Sequence, residues 1–176
     1  MSTSVVVERP KADSDLPRRM DTKTGVFLVS HADEDAATLT DVTDRQVHAL
    51  KAQPDPPLER SEVVEGTLES DGDIDVAWSV AAVENRKTIP VERSPEPPTK
   101  QEREIASEQS VGEITRRERA GEGELHVLTV PQETTEQAAD DVLDDPETVA
   151  RAARLGVDRV EVRVADGVLS VRYLPN

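Results

Sequence analysis

At 176 residues the chain is long enough for one domain or two small ones. It carries 37 acidic against 21 basic residues, a net charge of -16, with 16 Arg, 5 Lys and no Cys. The missing cysteines exclude disulfides, thiol catalysis and Cys-ligated metal sites, and no apolar run approaches the ~20 residues of a membrane-spanning helix.

Residues 1–21, with two prolines, mixed charges and one short apolar run, read as a disordered extension. They lack the charged start and long apolar core of a signal peptide. Met20 precedes "DTKTGVFLV", which reads as a natural chain start, so residues 1–19 are expected to be dispensable.

From 22 to 93 the pattern is one of short strands. "GVFLVS" (25–30) suits a buried strand, "ATLTDV" (37–42) alternates, and "RQVHAL" (45–50) splits Val47 and Ala49 from His48 and Leu50. After the breaker "QPDPPLER", the runs 62–70 and 76–86 are joined by "DGDID" (71–75), a hairpin signal. Five short strands in so little chain predict a small all-β barrel of the OB or SH3-like kind, whose closure would hide its edges.

Residues 94–111 form a linker. The joint "VERSPEPPTK" (91–100) is rich in proline, and Thr99 with Glu102 makes a capping box for a short, mostly polar helix. Residues 112–176 then predict an α+β unit. Strands at 112–119 and 123–130 come first, joined through "AGEG". Thr134 with Gln137 predicts a second capping box and a helix to Leu143. Asp145-Pro146 opens a further helix that Gly156 ends. Strands at 157–164 and 168–174 close the chain as a hairpin around "ADG". The fold class is therefore α+β: a barrel-like domain, then a unit of strand, helices and C-terminal hairpin.

Self-repulsion of so acidic a surface is screened at ~1 M salt, where the Debye length is about 3 Å. Scarce Lys with abundant Arg and Asp points to the cytoplasm of a salt-accumulating organism, and implies that high salt is required for stability. In that solvent, acidity neither supports nor excludes a polyanionic partner. The segments "TKTGVFLVSH", "KTIPVERSPEPPTKQEREIA", "RRERAGEGELHVLTVP" and "ARAARLGVDRVEVR" resemble a haloarchaeal family of small acidic proteins, a domain of unknown function. The resemblance covers roughly residues 22–175. It supports the high-salt reading and implies no activity, cofactor or site.

The strongest local signal is "ITRRERAGEGELHVL" (114–128), where Arg116, Arg117 and Arg119 crowd four positions of an acidic chain and Gly121 and Gly123 follow. Together they suit a phosphate or nucleic-acid contact, with the glycines letting backbone N–H groups approach an anion. On a strand, however, Arg117 and Arg119 face one way and Arg116 the other. The seven acids of 133–147 could instead neutralise them within the fold.

Other chemistry is weakly signalled. His31, His48 and His126 are far apart, without metal-ligand spacing. "DGDID" starts like a calcium loop, but Val76 stands where Gly is needed and Ala82 where Glu is needed. No P-loop, G-x-S-x-G or G-x-G-x-x-G is present, and no cofactor is implied. Asp140/Asp141 and Asp144/Asp145 read as solvated helix surface, and the three aromatic residues as core. The sequence thus favours a non-catalytic binding or adaptor module of the cytoplasm, with no membrane and with its partner, a protein or a nucleic acid, left open. The alternatives are RNA or DNA binding through the barrel face and the arginines, or an enzyme with an unrecognised site.

Overall fold

The computed structural model describes residues 21–70, 77–119 and 123–176. The extension expected over 1–21 lies, apart from Asp21, outside the described residues, as do the "DGDID" turn and Gly121.

The first sheet holds β1 (Thr22–Ala32), β2 (Ala37–Asp41), β3 (Val47–Ala49), β4 (Glu62–Ser70) and β5 (Trp78–Thr88) in the order β3-β2-β1-β4-β5. All its ladders are antiparallel. The consecutive apolar run of β1 is explained by burial on both faces. Phe27 and Val29 point into a core with Leu39, Val64 and Leu68, while Leu28 joins Val63 on the opposite face. The closed barrel expected over 22–93 is not found. β3 is three residues long, too short to ladder along β5, and the edges meet only at an isolated bridge between Leu50 and Trp78 among the described residues.

The second sheet holds β6 (Val91–Arg93), β7 (Ile114–Glu118), β8 (Glu124–Thr129), β9 (Arg159–Ala165) and β10 (Val168–Leu174), ordered β6-β9-β10-β8-β7. β6 comes from the proline-rich joint and pairs in parallel with β9. One face of this sheet carries α1 (Lys100–Ser107), the other α2 (Thr135–Asp144) and α3 (Pro146–Leu155).

Local signals place two helix starts well. Thr99 Oγ1 accepts from Glu102 N–H at 3.3 Å while Glu102 Oε2 accepts from Thr99 N–H at 2.8 Å, completing the capping box. Asp145 caps α3 by accepting from Glu147 N–H at 2.9 Å. Gly156 ends α3 at a φ of 70°, a left-handed position that suits glycine. The second expected capping box does not form. A 3-10 turn over Gln132–Thr134 already precedes α2, and the Thr134 hydroxyl donates back to the Pro131 carbonyl at 3.2 Å instead.

α3 lies between the sheets. Its Ala150, Ala152 and Ala153 pack with Leu28, Val42 and Val63 of the first sheet side and with Val160, Val171 and Tyr173 of the second. Small side chains allow a helix to approach two sheets at once, which explains why alanine dominates its buried face.

His48 is buried between Phe27 and Trp78, with ring centroids 5.8 and 4.7 Å away and both contacts edge-on. Neither ring nitrogen has a hydrogen-bond partner among the described residues. Burial holds its pKa below the ordinary value. The unfolded chain therefore binds this proton more readily, and stability falls as pH drops through about 6.5, where an unburied histidine titrates. His48→Leu is expected to raise stability by about 1 kcal/mol at pH 7, because an unsatisfied polar group leaves the core. It should also flatten part of the acid loss. Urea melts from about pH 5 to pH 8 check both, and a destabilised, equally acid-sensitive variant would refute the assignment.

Candidate functional site

β7 is the edge of the second sheet, and pairing with β8 sets its faces. Arg119 N–H donates to the Gly123 carbonyl at 3.2 Å, and Thr129 N–H to the Glu113 carbonyl at 3.2 Å. The backbone groups of Thr115 and Arg117 therefore also face β8, while Ile114, Arg116 and Glu118 turn theirs to solvent. Side chains alternate as the sequence predicts. Arg117 and Arg119 line a groove beside α1, and Arg116 lines a pocket on the other face.

The groove measures about 580 Å³. Lys100, Gln101 and Arg172 share its walls with Arg117, Arg119 and Glu118, above Ile105 and Leu125. Its floor forms because α1, polar on the outside, still buries Ile105 and Ala106 against Val127. Glu102 is also buried, only 2 % exposed. One of its oxygens caps the helix and the other lies 3.4 Å from Arg172 Nε, so its charge is answered within the fold.

None of Arg116, Arg117 and Arg119 makes an ion pair or side-chain hydrogen bond among the described residues. The acids of α2 do not reach them: Glu136 pairs with Arg93 at 2.6 Å. Elsewhere, Arg86 meets Glu62 at 2.6 Å and Arg154 meets Glu147 at 2.7 Å. Gly123 serves the packing of the strands. Its φ is 101°, and a Cβ there would stand 2.1 Å from the Tyr173 carbonyl oxygen. It does not line the groove.

The histidines stay apart. His31 is exposed near Asp33, His48 lies in the first core, and His126 lies in the second sheet. Among the described residues no three His, Asp or Glu side chains converge as a metal site would require.

His126 has the most structured surroundings. Its Nε2 is 2.8 Å from Glu124 Oε2, the oxygen that also accepts from Arg151 at 2.7 and 3.0 Å. Burial alone would raise the Glu124 carboxyl, but the His126 and Arg151 hydrogen bonds outweigh it and hold it below its ordinary range. Burial holds the His126 pKa down, against the pull of Glu124, so the ring is neutral at pH 7. The Tyr173 ring sits 5.0 Å away, its phenol pushed up by burial to about 12.

Sequence reasoning found the three arginines but missed Lys100, Arg172, Glu124 and Arg151. Of these, only Glu124 is marked by local spacing, two residues before His126 on β8 and so on the same face. Lys100, Arg172 and Arg151 meet the arginines and His126 only because β10 and β8 lie side by side and α1 and α3 cover opposite faces.

Among the described residues no helix is long and apolar enough to cross a membrane. No curated protein and no solved structure shows a significant match to the chain. A family model described as a family of unknown function (DUF5812) matches residues 23–164, and by that match the chain belongs to this family.

Proposed function

We propose that the protein is a non-catalytic binding module that takes an extended, acidic segment of a partner protein along β7. The observation that supports this most is that Arg116, Arg117 and Arg119 have no ion-pair partner among the described residues of a chain of net charge -16. A strand added to β7 would pair with the outward backbone groups of Ile114, Arg116 and Glu118. Its carboxylates would then meet Arg117 and Arg119 on one face and Arg116 on the other, in the forked geometry that guanidinium groups favour. We also place this module in a salt-rich cytoplasm, on the strength of its composition.

Nucleic acid is the weaker reading. Phe27 and Tyr173 are buried and Trp78 packs on His48, so the described residues offer no free aromatic platform for bases. The arginines also lie on the second sheet, so a strand held by them and by the first sheet would have to span both.

Fluorescence anisotropy with a labelled Glu-rich decapeptide, against a single-stranded RNA of equal length, tests this in about 1 M KCl. The full chain should bind the peptide, and the Arg116→Ala, Arg117→Ala, Arg119→Ala variant should lose about tenfold or more in affinity. Preferential RNA binding, or peptide binding that ignores the triple change, would overturn the reading.

A further inference from the structure

On the opposite face of the second sheet, a pocket of about 230 Å³ opens between β7, β8, β10 and α3. It is smaller than the ~300–1,000 Å³ of pockets that take drug-sized molecules. Its walls divide by chemistry. Ile114, Leu128, Val142 and Val171 make an apolar side, and His126, Tyr173 and Arg116 face it as polar groups.

Most charged groups around it are already satisfied. Arg151 is spent on Glu124 at 2.7 Å, and Arg45 on Glu147 at 3.1 Å, which Arg154 also grips at 2.7 Å. Asp145 caps α3. Three polar groups are left over. Arg116 has no ion pair among the described residues. A carboxylate only accepts, so His126 Nε2 carries the proton toward Glu124 and leaves Nδ1 as a bare acceptor. Neither that nitrogen nor the Tyr173 hydroxyl has a hydrogen-bond partner among the described residues, and neither is among the sealed, unpartnered polar atoms there.

These groups are neighbours by register. Arg116 stands opposite His126, in a pair whose backbones do not bond each other and whose side chains are therefore close. The Tyr173 ring lies against His126 from the next strand. We propose that this pocket binds a small monocarboxylic acid, its carboxylate held by Arg116 and the Tyr173 hydroxyl and its apolar body laid on Ile114, Leu128 and Val142. Among the described residues lining the pocket, one cation without an ion pair matches one negative charge. The apolar wall disfavours a bare phosphate, which would demand donors on every side.

Titration of the full chain with benzoate in about 1 M KCl, read by the histidine ring signals in NMR, tests the site. One histidine signal should move and saturate, and it should be the one absent from His126→Gln. Arg116→Gln, at an exposed position, should weaken binding about tenfold or more. Tyr173→Phe removes only the hydroxyl and should weaken it about two- to tenfold. Benzamide, neutral and of the same shape, and inorganic phosphate should leave the signal in place. The assignment is overturned if benzoate leaves His126 unmoved, if benzamide matches it, or if Arg116→Gln binds as the parent does. Tyr173 lies off the β7 edge, so its variant separates this site from the docking of an acidic strand.

Discussion

Transfer from about 3 M to about 0.1 M KCl is expected to unfold the protein. The chain holds sixteen more acids than bases, and many described bases are already committed to ion pairs such as Arg86–Glu62, Arg93–Glu136 and Arg151–Glu124. The excess acids therefore have only solvent cations to answer them. α2 shows the problem in miniature: Asp140, Asp141 and Asp144 are exposed on ten residues with no base in the last turn. At about 0.1 M salt the Debye length is near 10 Å, so charges repel across the width of a helix; at ~1 M it is about 3 Å and they do not. Far-UV circular dichroism and Trp78 emission should report loss of structure together as salt falls. Neutralising the helix with Asp140→Asn, Asp141→Asn and Asp144→Asn should lower the salt concentration needed. Cooperative folding of the unaltered chain in about 0.1 M salt, as stable as in molar salt, would refute the high-salt reading.

Leu28→Ala should cost about 2–5 kcal/mol and should lower the stability of both sheets together. Leu28 belongs to the first sheet, yet it packs in the cluster that holds α3 and, beyond it, Val160, Val171 and Tyr173. A cavity there loosens the helix from both sides. The chain contains one Trp and one Tyr, and they lie in different sheets, so each reports its own. Trp78 emission and the Tyr173 ring signals should change at the same urea concentration in the parent, and shift together in the variant. If the Trp78 transition moves alone, residues 22–93 fold as a separate domain and the shared core contributes little to cooperativity.

Much of the candidate site was legible before folding. The alternation of β7 separates Arg116 from Arg117 and Arg119, and the structure keeps that separation. The choice between internal neutralisation and an open contact was not legible. Acids close in sequence promised partners for these arginines, but α2 lies across the sheet from Arg117 and Arg119 and spends Glu136 on Arg93, while beside Arg116 Asp145 caps α3 and Glu147 is taken by Arg45 and Arg154. His126 showed only as a lone histidine without metal-ligand spacing. Its environment comes from Glu124 on its own strand, Arg151 on α3 and Tyr173 on β10.

By itself, the sequence determined what depends on neighbours along the chain: the capping box at Thr99 and Glu102, the Asp145-Pro146 start, the Gly156 stop, the alternation of the strands and the acidic balance. These rest on interactions a few residues long, which composition and spacing record directly. The tertiary structure decided the order of the strands. It drew β6 from a proline-rich joint into the second sheet, left the first sheet open, buried Glu102 against Arg172, and set α3 between two layers. Pairing between distant segments follows from how a whole set of apolar faces can be buried at once, and no local period encodes that solution.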